Sequence, residues 1–574
     1  MKHQKHIVMQ LVLLCLVIGM VYSPAFRAEP CLLDDVSLLN GLQGDVHFDF
    51  KKLLTPNLTP STYYRRPLIE ISYWCSQTFW NATSQAMHIE NVVFHMLNAI
   101  LLFWLIRLSL PDDAKFGHYV PLMGALLFAV HPIMTESINW IVGRSDLIVG
   151  GCLISATIAI VAWRRKRNHW WLLLFAILLL AAAIMAKEVA WGFLIVLPFF
   201  LADPHDSNTY TLEQLFGKFA RLEKLLILAA IALCFFLATL LLSFWPVVAL
   251  STILGLVALN MKPRQHPLSR KVWLLITGLL LIVTALLPYC VKLAQQHTSG
   301  GSYSNFSRTI LLISLDFDNS MAIFSAALAF YIKKFFLPLP LSFSITGIAQ
   351  GYLFAGIAVI ILTAFLAAWR SQAAILFLTG IALLLPALPL AHGQIAWAPY
   401  AERYMYVSSG FWIASLAVGL SSLKRPYLRA SCTALCLVLI PLAALTTYKR
   451  STTWQTNVAL FGDTVQKSPN HIEARILYMT ALSKAGRLPE ALEQYLRIKE
   501  DSRSWTRPKY FSDFAELLYS GGLKSEAWEV LNTSMAIPLP PGQKHPLLSN
   551  DWQKLYKFHT RLQQELFPKS KQAY

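Results

Sequence analysis

Apolar runs of about 16–22 residues recur along the first ~450 positions of this chain. A helical residue rises ~1.5 Å, so each run matches the ~30 Å hydrocarbon slab of a bilayer. Backbone inside lipid must satisfy its own hydrogen bonds, which leaves helices or a closed barrel. Barrel strands would alternate in shorter segments, and none of these runs does. Only 14% of the 574 residues are charged, against about 25% in an ordinary soluble domain. A soluble enzyme and a porin-like barrel are both excluded, and the fold class is an all-α polytopic membrane bundle.

Met1 to His6 are basic and lead into an apolar run from Ile7 to about Tyr22. Residues 1–28 read as a first transmembrane helix or a signal peptide, and either places residue 30 outside. A polar and aromatic outer loop, 29–88, follows. Further spans are expected near 90–109, 119–135, 147–163, 169–186, 188–202, 224–243, 245–260, 271–291, 352–369, 373–391, 406–422 and 429–447. The 310–337 stretch carries Asp316, Asp318, Lys333 and Lys334, and reads as an interfacial or re-entrant helix. That makes about thirteen crossings, with the N-terminus inside and the C-terminus outside.

Lys and Arg exceed Asp and Glu by 18, which in a soluble protein would suggest nucleic acid. Here the basic clusters fall in short loops: Arg164 to Arg167, then Lys262, Arg264, Arg270 and Lys271, then Lys424, Arg425 and Arg429. This is the positive-inside pattern, so the expected partner is the lipid bilayer and not nucleic acid. The eight cysteines form no CxxC, hence no metal or redox framework. Cys31 and Cys75 share the first outer loop and are candidates for a disulfide.

After Tyr448 the composition turns polar, and residues 448–574 form the expected soluble domain. Gly486-Arg-Leu-Pro-Glu-Ala491 recurs as Gly522-Leu-Lys-Ser-Glu-Ala527, an offset of 36. A period of ~34 residues is that of paired helices stacked as tetratricopeptide repeats. Trp454, Leu460, Phe461 and Pro469 resemble half of an earlier repeat. Such a module binds a peptide or protein, or simply caps the chain.

Ionisable residues beside membrane spans are costly and therefore functional candidates. They gather in the outer loops: Asp34 and Asp35; Arg65 and Arg66; His88, Asn91 and His95, on one face of a helix; His131 and Glu136; Arg144 and Asp146; Lys187 and Glu188; Glu402 and Arg403. Charge pairing for stability alone would join Glu136 to Arg144 and Glu402 to Arg403. Convergence at one membrane face favours a site instead. A carboxylate there can act as general base toward a hydroxyl, and Arg or Lys can hold a phosphate. No P-loop, GxGxxG or HExxH is present for a soluble nucleotide or a zinc protease.

The chain resembles the integral-membrane O-mannosyltransferase-like proteins with C-terminal tetratricopeptide repeats, of the GT-C glycosyltransferase superfamily. The resemblance runs through Leu33-Asp34-Asp35 with Asn40, Tyr64-Arg65-Arg66-Pro67-Leu68, and His88-x-x-Asn91-x-x-x-His95. It continues through Leu127 to Pro132 and Glu136, Val142 to Leu147, Lys187-Glu188, Ala401 to Tyr406, and Arg450-x-x-x-Trp454. The resemblance implies a GT-C-like domain over 29–447, with catalysis at the non-cytoplasmic face. It also implies a polyprenyl-phosphate-linked sugar donor and inversion at the anomeric carbon.

By the same resemblance, Asp34, with Asp35 slightly behind it, is the catalytic base. Donor-phosphate contacts fall on Arg144, Arg403 and Lys187. Glu136, Asp146, Glu188, Glu402, His131, Arg65, Arg66 and His88 orient the site. The structural alternatives are helix capping for the aspartates, ion pairing or snorkelling for the cations, and polar packing for the histidines. The chemistry requires no metal or cofactor; a divalent cation is allowed but not indicated.

The expected activity is sugar transfer to an acceptor hydroxyl, with Ser/Thr of a protein recruited by the repeats. The alternatives are a glycolipid or surface polysaccharide acceptor, or a non-enzymatic docking factor. The short repeat array suggests a bacterial inner membrane with a periplasmic site. Four N-x-S/T sequons, at Asn57, Asn81, Asn305 and Asn532, matter only in a eukaryotic secretory path.

Overall fold

A computed structural model describes residues 2–43, 66–110, 119–165, 169–201, 313, 315–369, 371–393, 397–423, 425–499, 508–536 and 550–566. Among them there are helices and no strand. The expected spans 224–243, 245–260 and 271–291, the basic residues 262–271, and Arg65 lie outside the described residues. The chain divides into two compact units: 1–28, 37–341 and 347–452 in the first, and 29–36, 342–346 and 453–574 in the second. Two short segments from earlier in the chain thus belong to the second unit together with residues 453–574.

Among the described residues of the first unit, five helices are long and apolar enough to cross a membrane: Gln4–Val21, Ser84–Ser109, Ile141–Arg165, Gln372–His392 and Pro426–Thr453. The protein is a multi-pass membrane protein. Shorter apolar helices cover Trp170–Ala186, Glu188–Leu197 and Tyr352–Leu366. The first helix packs into this unit: Leu14, Ile18 and Tyr22 are fully buried, and the Tyr22 ring meets His95 edge-on at 5.5 Å. By contrast, Leu437, Val438, Leu442 and Leu445 on the Pro426–Thr453 helix are exposed, as a lipid-facing surface must be. Pro441 is tolerated inside that helix.

The expected single span 119–135 is broken. Val120–Val130 and Pro132–Asn139 form a pair bent by 50°. Pro132 lacks an N–H and forces His131 into extended backbone (φ −66°, ψ 125°), so the helix must stop there. The 310–337 stretch holds a 20-residue helix, Phe317–Phe336, with Asp316 at its N-cap accepting from the Asn319 N–H.

The second unit stacks helices Asn457–Lys467, Ile472–Lys484, Leu488–Ile498, Pro508–Ser520, Lys524–Ala536 and Asn550–Leu566. The repeat is structural: helices begin at 472 and 508, and their partners at 488 and 524, both 36 apart. Gly486 (φ +76°) and Gly522 (φ +83°) take the left-handed conformation that ends each first helix. The following N–H groups bond five residues back, Arg487 to Leu482 and Leu523 to Leu518, each at 2.9 Å. Ala491 and Ala527 are fully buried at the close approach of each pair, in one core with Tyr495, Phe511, Phe514 and Val530. From the short 342–346 segment, Phe343 lies 4.8 Å from the Trp454 ring and 6.1 Å from Phe461.

Candidate functional site

The charged motifs of the first unit lie where its apolar helices give way to short 3-10 turns: 132–134, 141–143, 188–190 and 402–405. The Arg144–Arg165 helix carries Arg144 and Asp146 in its first turn and Arg164 and Arg165 in its last. Its 22 residues are ~33 Å long, so these two groups sit on opposite sides of a bilayer-thick slab.

Five ion pairs form among these motifs. Arg403 Nη1 donates to Glu136 Oε1, and its backbone N–H donates to Glu136 Oε2 at 3.0 Å. Arg403 Nη2 reaches the Tyr404 hydroxyl at 3.1 Å, and the guanidinium lies 5.0 Å from the Trp140 ring centre. Lys187 Nζ donates to Asp146 Oδ1 at 2.5 Å. Arg66 donates through Nη2 to Glu188 Oε2 at 2.9 Å. Lys334 Nζ donates to Glu402 Oε1 at 2.9 Å and to the Pro338 carbonyl at 3.2 Å. Arg144 donates to Glu90 Oε2 at 2.5 Å, Ser76 Oγ at 2.7 Å and Asn91 Oδ1 at 3.2 Å.

The expected pairings are therefore corrected. Glu136 takes Arg403 and not Arg144; Glu402 takes Lys334 and not Arg403. The reason is tertiary: the 402–405 turn packs back onto the 132–139 bend, 267 residues away in sequence. Glu90 and Lys334 were not among the expected site residues. Each is an ionisable group in a helix whose remaining residues are largely apolar, the signal that marks such residues.

Four of these pairs, all but Arg144–Glu90, are linked electrostatically. Lys187 feels Asp146, Arg66 and Arg403, and Arg403 feels Tyr404, Glu136 and Asp146. Burial pulls the Lys187 ammonium below lysine's ordinary value, with the Asp146 carboxylate opposing. Burial also works against charge on Arg403, but Tyr404 and Glu136 hold it above the ordinary arginine value. Arg403 and Lys187 keep 12% of their side-chain surface exposed, whereas Arg144 keeps none.

The histidines form the frame. Asn91 Nδ2 donates to the Trp140 carbonyl at 2.9 Å and tethers the 138–141 turn. His95 bridges the Ala129 carbonyl (3.1 Å) and the Tyr406 hydroxyl (2.9 Å). With a carbonyl at Nε2, its Nδ1 must be the acceptor. His131 Nε2 likewise donates to the Phe335 carbonyl at 2.9 Å, while Nδ1 accepts from the Ile133 N–H. His88 is fully buried and neither ring nitrogen has a hydrogen-bond partner. Gly143 makes the approach of this turn possible, because a Cβ there would meet the Ser137 backbone.

Asp34 and Asp35 belong to the second unit. Asp34 is exposed in a turn, and Asp35 opens the Asp35–Leu42 helix and is fully buried. Asp35 Oδ2 accepts the Cys31 N–H at 3.0 Å, and the Asp35 N–H returns to the Cys31 carbonyl at 3.1 Å. No disulfide joins Cys31 to Cys75. Among the described residues no group of three His, Cys, Asp or Glu side chains is placed to hold a metal.

A charged, hydrogen-bonded network at one end of a multi-pass helical bundle is the class of site that fold and geometry define. The chain is similar over short stretches to protein O-mannosyl-transferases. It is 29% identical to the mouse protein TMTC3 over 94 residues, covering 16% of this chain and 10% of that protein. To the Drosophila melanogaster protein Tmtc1 it is 33% identical over 100 residues, covering 17% and 11%. To a Caenorhabditis elegans member it is 27% identical over 84 residues, covering 15% and 12%. The matched stretches thus span about a tenth of these relatives' length. The resemblance to the O-mannosyltransferase-like proteins extends to curated members in three animals.

No protein-family model matches the chain. Among solved structures, the Archaeoglobus fulgidus oligosaccharyltransferase tethered with an acceptor peptide aligns at a TM-score of 0.39 and 14% identity. That alignment covers 78% of this chain and 55% of the archaeal one.

Proposed function

We propose that this protein is a GT-C-type membrane glycosyltransferase that moves a sugar, mannose or another hexose, from a polyprenyl-phosphate carrier to an acceptor hydroxyl. The observation that carries the reading is that motifs scattered from Arg66 to Arg403 come together as interlocking ion pairs in the first unit. The basic Arg164 and Arg165 end the same helix that Arg144 begins, which supports a site on the non-cytoplasmic face.

In this mechanism a carboxylate of the 34–35 pair takes the proton of the acceptor hydroxyl. The oxygen attacks the anomeric carbon opposite the phosphate, the bond from that carbon to the phosphate oxygen breaks, and polyprenyl phosphate leaves with inversion. Asp34 is the better base of the two, because it is exposed at the turn's surface while Asp35 is fully buried. The leaving phosphate's growing charge falls on Arg403 and Lys187, whose partial exposure leaves an edge to accept it. Arg144, buried entirely, acts through the shape of the Gly143–Asp146 turn. Glu136, Asp146, Glu188 and Glu402 fix the cations, with His131, His88 and Arg66 in the surrounding frame. The acceptor is Ser/Thr of a polypeptide, recruited by the second unit.

The test compares wild type with Asp34→Asn and Asp35→Asn at equal expression in a deletion strain, by intact-mass glycoproteomics of exported proteins and glycolipid profiling. Loss of one hexose-sized modification in Asp34→Asn supports transfer and identifies the acceptor. Loss confined to a glycolipid moves the acceptor there. Unchanged glycans in both variants would put the docking-factor reading first.

A further inference from the structure

The acidic turn is held by the repeat unit itself, through one side chain. Asn457 is the first residue of the Asn457–Lys467 helix, capped by Thr456, whose Oγ1 accepts the Ala459 N–H at 3.2 Å. Its Oδ1 accepts the Leu32 N–H at 3.0 Å. Its Nδ2 donates to the Pro30 carbonyl at 3.0 Å and to Glu29 Oε2 at 3.1 Å. The Asn457 backbone N–H, which has no acceptor within its own helix, donates to the same Glu29 oxygen at 3.0 Å. The Glu29 N–H completes the clasp on the Gln455 carbonyl at 2.9 Å.

A carboxamide fits all of these contacts because it accepts on one side and donates on the other. The clasp grips residues 29, 30 and 32. The Cys31–Asp35 turn then closes on itself through the Asp35 carboxylate, with Asp34 between the two anchors. Glu29 sits where a helix N-terminus favours an anion, so the charge that locks the segment is itself stabilised.

We infer that Asn457 is a positioning residue for the acidic pair: by clasping Glu29, Pro30 and Leu32 it sets where the Asp34 carboxylate points. The inference rests on the proposal that this pair supplies the catalytic base.

The experiment uses the full chain in detergent, with a polyprenyl-phosphate mannose donor and a Ser/Thr-rich peptide acceptor. Its variants are Asn457→Ala, Asn457→Asp, Glu29→Gln with Asn457→Asp, and Asp34→Asn. Asn457→Ala is expected to lower kcat at least tenfold while leaving the donor KM within twofold. Asn457→Asp keeps the Leu32 contact but sets a carboxylate against Glu29, so it loses at least as much. Adding Glu29→Gln removes that repulsion and restores half or more of the lost kcat.

Full activity of Asp34→Asn overturns the base and the clasp together. An inactive Asp34→Asn beside an Asn457→Ala with kcat within twofold of wild type overturns the clasp alone. Should Asn457→Ala not accumulate, the Asp variant and its Glu29→Gln partner decide, and no restoration rejects the inference.

Discussion

Replacing Arg144 and Glu90 singly and together tests whether their ion pair holds the first unit in shape. Arg144 has no exposed side-chain surface, whereas Glu90 keeps 20%. Breaking a buried pair by removing one partner costs about 3–5 kcal/mol. In Arg144→Met, Glu90 retains Ser76 Oγ and Trp80 Nε1, each donating at 2.6 Å, and touches water, so the loss falls near ~3 kcal/mol. In Glu90→Gln the stranded charge is the guanidinium, which is fully buried and left with neutral partners, so the loss falls near ~4 kcal/mol or more.

The double variant leaves no unpaired charge. It is expected to be more stable than the sum of the single losses by about 2 kcal/mol. The measurement is reversible unfolding in mixed micelles titrated with SDS, read by tryptophan fluorescence. Losses that add within ~0.5 kcal/mol, or an Arg144→Met that is worse than Glu90→Gln, would refute the reasoning. The double variant also tests the link to transfer: a stable protein without transfer ties activity to the turn that Arg144 shapes, and retained transfer leaves Arg144 purely structural.

Gly143→Ala places a methyl group against the Ser137 backbone; a loss of about 1–3 kcal/mol in the same assay is expected, with reduced transfer. Asp146→Asn removes the carboxylate that holds the Lys187 ammonium up against burial. The Lys187 pKa then falls further, its charge is lost at lower pH, and the alkaline limb of the transfer profile must move to lower pH. A shift the other way would rule out Lys187 as the charged ligand. In the second unit, Ala527→Leu overfills the close helix approach and should cost about 1–3 kcal/mol by denaturant unfolding. Gly522→Ala, strained only by its left-handed backbone, should cost about 1 kcal/mol.

Hydropathy by itself determined that this chain crosses a membrane as helices, because lipid leaves the backbone no other way to pair. The stretches 352–369 and 406–422 are helical, over Tyr352–Trp369 and Tyr406–Ser421. The 36-residue recurrence marked the paired helices of the second unit, since a left-handed glycine and a small alanine are local demands of each helix pair. His88, Asn91 and His95 were legible as one buried face for the same local reason.

Which charge meets which was not legible. Arg403 finds Glu136 and Arg144 finds Glu90 through the stacking of helices far apart in sequence, and neighbouring residues such as Glu402 offer equally good charges. The segments 29–36 and 342–346 join the repeat unit for a comparable reason. Asn457 and Phe343 reach their partners across more than a hundred residues, through contacts that only the folded chain creates.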